Sequence, residues 1–427
     1  VTHRENNQDR LFTIALALTA LSLFVAPFRS SAGLRAAALV VAAILLAARW
    51  WQTHRSQPLG WRTQTPAIRI PGGALFVSGV VLWVVTVFCY SAMSNDVTKS
   101  LASWRGDVLT PVLAGIVCYA LARSMREVSV IFAALFGGLL ILASMATLDP
   151  FQPIIGAHEP LYLNVGWLST WMVMLAALLP LAWRLQSDAS NRIRQLTLVA
   201  AAAIAIGAWF SNNRIVWLCF GAMIVIYVAM NFHRMGGRPA TRIAVVVVGL
   251  IAALTMFFIS SAMRAAQFPS ANVDAVSILQ RDDRQQIWAA AYAAIAERPL
   301  LGHGYALDAG GEALAAYFAD PGFKRVFRQA HNVVLNYALQ MGIPGALALL
   351  WLFAGLAHAF WRRRDAPAVA GVAATCGLML VSAFLLRNMT DDFFHRHAAL
   401  LFGALVGLLL AVSEWPERVD GSARATT

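Results

Sequence analysis

Several charged residues of this chain stand where an apolar run meets a polar one, a position from which a side chain reaches both a lipid and its headgroup. Arg214 lies in Ser-Asn-Asn-Arg between two apolar runs. A guanidinium there offers a planar fork matched to phosphate oxygens; a snorkelling anchor is the alternative reading. Arg281 and Arg284 are three apart in Gln-Arg-Asp-Asp-Arg-Gln-Gln-Ile-Trp, so both project from one side of a first helical turn. Unpaired amides and the macrodipole at such a start favour an anion, with a local salt-bridge cluster to Asp282 and Asp283 as the competing reading. Trp288 and Ile295 continue the Arg284 face towards the membrane. His331 precedes a long apolar run, in His-Asn-Val-Val-Leu-Asn-Tyr-Ala-Leu-Gln-Met-Gly-Ile-Pro-Gly. A neutral imidazole there can take a proton from a sugar hydroxyl, or can serve only as a capping group.

The remaining candidates are weaker. His303 lies between Gly302 and Gly304 and reads best as part of a structural turn. Asp391 and Asp392 can orient a base or hold a substrate hydroxyl, and pairing with Arg387 or Arg396 is the other reading. In Phe323-Lys-Arg-Val-Phe-Arg328, Phe323, Val326 and Phe327 share a helical face opposite Lys324, Arg325 and Arg328. That pattern suits a lipid interface or an ordinary flank of the next helix. His395 and His397 are two apart and diverge on a helix, which argues against a metal site. No metal ligand set, phosphate-cradling loop or dinucleotide fingerprint is predicted, nor any cofactor. Cys89, Cys118, Cys219 and Cys376 all fall in apolar runs and read as small hydrophobes.

The elements that must hold these residues are membrane helices. The chain is 59 % hydrophobic and 13 % charged, with the charges gathered between apolar runs, unlike a soluble domain. Twelve spans are predicted, near 11–28, 33–51, 73–93, 108–122, 128–147, 165–183, 195–210, 215–232, 241–262, 333–360, 367–386 and 397–412. The first is read as a retained helix. An even count puts both ends of the chain on one side. Arginine is abundant in every connection on that side and sparse in the short loops opposite, so the positive-inside rule places both ends in the cytoplasm. The net charge of +12 then reflects basic loops facing anionic lipid, not nucleic acid.

Residues 1–262 therefore hold nine spans, 263–330 form a large outer segment, and 331–427 hold the last three spans and a tail. The outer segment is too long for a simple connector. A helix is expected from Asp282 or Asp283 to about Arg298, stopped by Pro299, and another around 312–319; Gly302, Gly304, Gly310 and Gly311 are expected in turns. The spans hold few ionisable groups at their middles, which lowers a flippase or other transporter reading.

Two stretches resemble a known family. His331-Asn332, nine residues, then Gly342-Ile-Pro-Gly345 is similar to the His-Asn-x9-Gly-x-x-Gly signature of the O-antigen ligase family, and Pro299-Leu-Leu-Gly-His-Gly-Tyr305 also looks like that family. The likeness covers roughly residues 205–360. It implies an all-α membrane glycosyltransferase of GT-C-like architecture, moving a glycan from undecaprenyl diphosphate to the lipid A–core oligosaccharide. The reaction would take place on the periplasmic face of the bacterial inner membrane, without metal or cofactor. Carried over by position, Arg214 and Arg284 would hold the diphosphate and His331 would be the essential histidine. A late acidic residue is also implied, and Asp391 and Asp392 compete for it. The wider superfamily includes O-antigen polymerases and protein O-oligosaccharyltransferases, which use the same donor.

Overall fold

A computed structural model describes residues 2–28, 31–55, 72–148, 165–185, 191–211, 213–233, 238–266, 284–318 and 329–415. Among these residues the chain is all helix, with no β-sheet. The helices are α1 (Thr2–Val25), α2 (Ala32–Arg55), α3 (Ala74–Ala92), α4 (Val97–Trp104), α5 (Thr110–Leu121), α6 (Met125–Leu148), α7 (Val165–Ala176) and α8 (Leu179–Arg184). They continue as α9 (Asn191–Phe210), α10 (Arg214–Asn231), α11 (Pro239–Ala266), α12 (Arg284–Glu297), α13 (Leu307–Ala315), α14 (Val333–Trp361), α15 (Ala368–Asn388) and α16 (Arg396–Ser413). Nine helical segments among the described residues are long and apolar enough to cross a membrane. The chain is a polytopic membrane protein.

Burial is graded across the bundle. The residues of α16 are almost all buried, α15 nearly as much, while most of the apolar surface of α11 is exposed. A helix apolar all round belongs in a core or in lipid, and both uses occur here. Glycines set the closest approaches: a Cβ on Gly407 would lie 1.9 Å from the Gly115 carbonyl oxygen, and one on Gly403 2.2 Å from that of Pro111. These contacts weld α5 to α16. Between α3 and α5, over α14 and α16, lies a cavity of about 330 Å³ whose walls include Val80, Ile116, Leu356 and Val406 and no charged residue.

The structure revises several element boundaries. The outer loop expected at 94–107 is helical from Val97, because the Asp96 side chain accepts the Lys99 amide at 3.0 Å and caps the turn. A π-helical turn at Arg105–Leu109 then joins α4 to α5. The second helix of the 263–330 segment starts at Leu307 and ends at Ala315, earlier than expected, and contains Gly310 and Gly311. Gly310 faces α14, where a Cβ would lie 3.3 Å from the Leu339 side chain; it is a packing glycine, not a turn. With Ile287, Ala291 and Ala294 of α12, Leu314 and Phe318 build a small apolar cluster on Ala330 and Leu339. Trp288 likewise turns inward and donates to the Ala330 carbonyl at 2.9 Å, beside His331, and not outward as its place on the helix suggested. Cys118, Cys219 and Cys376 are buried free thiols, while Cys89 is exposed.

Candidate active site

The His-Asn motif opens α14 with an unusual backbone. His331 is in the left-handed region at φ 49°, which costs a residue with a Cβ on the order of 1–3 kcal/mol and persists only when its surroundings enforce it. The enforcement is visible on both sides. The Asn332 side chain accepts the Val334 and Leu335 amides at 3.0 and 3.1 Å, and its own amide donates to the Met389 carbonyl at 3.1 Å. On the other side, the Ala330 amide donates to Asn336 Oδ1 at 2.6 Å, and Asn336 Nδ2 donates to Asp392 Oδ2 at 2.7 Å. The start of α14 is thereby bolted to the loop between α15 and α16.

That loop separates the two aspartates. Asp392 turns inward: besides Asn336, it accepts the Phe394 amide at 3.0 Å and shapes the loop. Asp391 faces His331, whose Nδ1 donates to Asp391 Oδ1 at 2.9 Å. The same oxygen accepts Gln329 Nε2 at 3.1 Å and the Asp392 amide at 3.0 Å. Burial alone would raise the Asp391 pKa. The hydrogen bond from His331 and the charge of Arg387 outweigh it, holding the carboxyl below its usual range. An ionised carboxylate only accepts, so the shared proton resides on Nδ1. His331 is about one-quarter exposed. The pair has the arrangement of an oriented general base.

Two more cationic elements meet this end of the bundle. Arg284 is the first residue of α12, the helix whose Trp288 holds the His331 loop, and its charge is felt at Arg387. Arg214 is the first residue of α10, with its guanidinium 5.9 Å from the Phe257 ring of α11. Its neighbour Asn213 donates to Ser169 at 3.0 Å, and Arg387 donates to the same hydroxyl at 3.3 Å. Two helix N-termini, each opened by arginine, thus lie at the end of the bundle that carries the His331–Asp391 pair.

The glycine motifs hold that end in place. At Gly342, with φ 67°, α14 breaks into two helices. Pro344 has no amide proton to give the Gln340 carbonyl, and the Ile343 amide turns away to Pro299 O at 2.7 Å. The Leu339 and Gln340 carbonyls are repaired from outside by the His303 and Gly304 amides, at 2.9 and 3.0 Å. A Cβ at Gly302 would lie 2.4 Å from Gln340, and one at Gly342 2.6 Å from Pro299. The Pro299–Tyr305 stretch is therefore a splint across a broken helix. His303 belongs to it, with Nε2 2.9 Å from the Ala294 carbonyl.

Residues 196–352 match the family described as O-antigen ligase. Over that segment, the chain is similar to the O-antigen ligase family. No curated protein gives a significant match to it. The matched segment contains Arg214, Arg284, His331 and both glycine motifs, and it ends before Arg387 and Asp391.

Arg281, Lys324, Arg325 and Arg328 lie outside the described residues. Asn336 and Ser169 went unrecognised in the sequence, Asn332 entered only as part of the His-Asn motif, and Arg387 only as an ion-pair partner. Arg387 had one signal, its place four residues before Asp391 at the end of an otherwise apolar helix. His395 and His397 flank Trp167, with ring centroids 5.1 and 5.6 Å from it.

Proposed function

We propose that this protein is an O-antigen ligase. It would transfer a glycan from undecaprenyl diphosphate to a hydroxyl of the lipid A–core oligosaccharide, at the periplasmic face of the bacterial inner membrane. In this reading the fold is GT-C-like with twelve crossings, the three beyond the nine long spans being α1, α7–α8 and α9, and both ends of the chain are cytoplasmic. The observation that carries the proposal is the His331–Asp391 pair, at the same end of the bundle as the arginine-headed starts of α10 and α12.

The chemistry follows from those parts. Asp391 keeps the Nδ1 proton in place, and His331 Nε2 takes the proton of the acceptor hydroxyl as its oxygen attacks the anomeric carbon. The bond from that carbon to the diphosphate breaks, and undecaprenyl diphosphate departs with the electron pair. Arg214 and Arg284, at the positive ends of their helices, receive the developing negative charge. Attack opposite the leaving group inverts the anomeric centre. Two fixed guanidinium groups supply the charge stabilisation, so transfer is expected to be independent of added divalent metal. Arg281 would extend the anion site, and Lys324, Arg325 and Arg328 would guide one amphiphilic substrate by its phosphates.

The test combines purified protein, a lipid-linked glycan donor and lipid A–core, with and without chelator. A glycan-bearing lipid A–core product in both conditions is expected. Elongated glycan still on the donor lipid would make the protein a polymerase, and transfer to an acceptor protein would make it a protein O-oligosaccharyltransferase. No transfer under any condition, with movement of the donor across vesicles instead, would make it a transporter.

A further inference from the structure

Among the described residues, Arg387 is the most deeply buried charge at this end of the bundle, at 1 % exposure, and its surroundings satisfy it poorly. Its Nη2 lies 3.9 Å from Asp391 Oδ2, beyond hydrogen-bond reach, and makes long bonds of 3.4 Å to the Gly166 carbonyl and 3.3 Å to Ser169 Oγ. Its Nε is buried with no hydrogen-bond partner, and its Cζ sits 4.5 Å from the centre of the Phe393 ring. An apolar side chain of similar size would fill this space without the desolvation cost of a guanidinium. Stability therefore gives no account of an arginine here.

Its connections do. Ser169 uses its full hydrogen-bonding capacity at this point: its hydroxyl donates to the Gly166 carbonyl at 2.8 Å and accepts from both Asn213 and Arg387. Asn213 fixes the start of α10, and hence the root of Arg214. The same Nη2 of Arg387 faces the oxygen of Asp391 that His331 does not use. One guanidinium thus lies between the corner that carries Arg214 and the pair that contains His331.

We propose that Arg387 is a positioning residue that ties the Arg214 corner to the His331–Asp391 pair and draws on the Asp391 charge that would otherwise act on His331. This deepens the ligase reading and rests on it for the reaction served. The charged and titratable groups around this link are Asp391 and Asp392 in the α15–α16 loop, Arg284 on α12 and Cys219 on α10. Removing the Arg387 charge leaves the Asp391 carboxylate without its neighbouring arginine and removes a cation from the imidazolium's surroundings. Both changes favour protonated His331, so its titration midpoint must rise.

The test needs no substrate for its first arm. In protein labelled with ¹³C at the histidine rings, the His331 signal is assigned by its loss in His331→Gln and followed against pH. Arg387→Gln is expected to raise the midpoint by about half to one pH unit, and Arg387→Lys, which keeps the charge, to leave it within a few tenths. An unmoved midpoint in Arg387→Gln overturns the proposal. In the second arm Ser169→Ala frees the α10 corner without touching the charge. It is expected to raise KM for a lipid-linked glycan donor several-fold and to leave the His331 midpoint in place. Should Arg387→Gln not be recovered folded, wild-type KM in Ser169→Ala overturns the proposal by itself. Wild-type protein that transfers nothing would sink the ligase reading, while the titration arm would still decide the linkage.

Discussion

Among the described residues, two partly buried arginine–carboxylate pairs stand at opposite ends of this bundle, and they are built differently. At the end away from His331, Arg363 Nη2 lies 2.8 Å from Glu414 Oε1. The other Glu414 oxygen accepts the Tyr119 hydroxyl at 2.5 Å, and the Gly72 amide reaches Oε1 at 3.1 Å. At the His331 end, Arg387 stops 3.9 Å short of Asp391, whose other oxygen takes the imidazole. In the closed pair the charges cancel each other and fasten α16 to its neighbours. In the open pair the arginine is near enough to keep the carboxylate ionised, yet leaves its hydrogen-bonding to the histidine. A separation of about one ångström distinguishes a closed ion pair from one whose carboxylate bonds a histidine.

The comparison can be broken at the histidine first. His331→Ala is expected to lower the transfer rate by about 10²–10⁴-fold with the protein still inserted and folded, measured as product formed per minute by purified enzyme. Arg284→Ala and Arg214→Ala come next, each expected to cost about 10²–10³ in kcat if diphosphate contacts resemble oxyanion-hole donors. Near-normal rates in both would leave the anion site without its residues.

Asp391→Asn and Glu414→Gln sharpen the contrast directly. The first is expected to lower kcat at least about tenfold, by releasing the Nδ1 proton from its partner, with little change in thermal midpoint. The second should do the reverse, lowering the thermal midpoint through the partly buried Arg363 charge left without its carboxylate while leaving kcat of the folded fraction intact. Equal effects on both properties in both variants would erase the distinction. The smallest expected change is from Gly342→Ala, which forces a Cβ to within 2.6 Å of Pro299 O at φ 67°. A left-handed residue with a Cβ costs about 1–2 kcal/mol before any clash is counted, and a lowered unfolding temperature would report it.

The helices were largely legible because apolar runs of membrane length are hard to mistake. Residues 97–104 were not, since Lys99, Arg105 and Asp107 read as loop while the Asp96 cap and the π-helical turn that carry them into α5 leave no hydrophobic signal. Gly310 misled for a related reason: glycine in a helix packed on another helix looks, in sequence, like glycine in a turn. At the site, the residue types and their places at helix starts pointed to Arg214, Arg284 and His331. The choice between Asp391 and Asp392 was not readable, because an irregular loop has no periodicity to assign faces. Arg387 was hidden by its own burial, since an arginine at a helix end reads as an ion pair or anchor until its depth is known.

The break at Gly342 gives the nine residues between His-Asn and Gly-Ile-Pro-Gly the character of a gauge. Their far end is clamped by Pro299, His303 and Gly304, and their near end must deliver an imidazole to Asp391. A helix advances about 100° and 1.5 Å per residue. One inserted or deleted residue in this stretch would swing His331 roughly a quarter-turn around the helix axis, out of reach of its carboxylate. The membrane-spanning half of α14 beyond the splint would be untouched. The length of that stretch is therefore under tighter constraint than its composition.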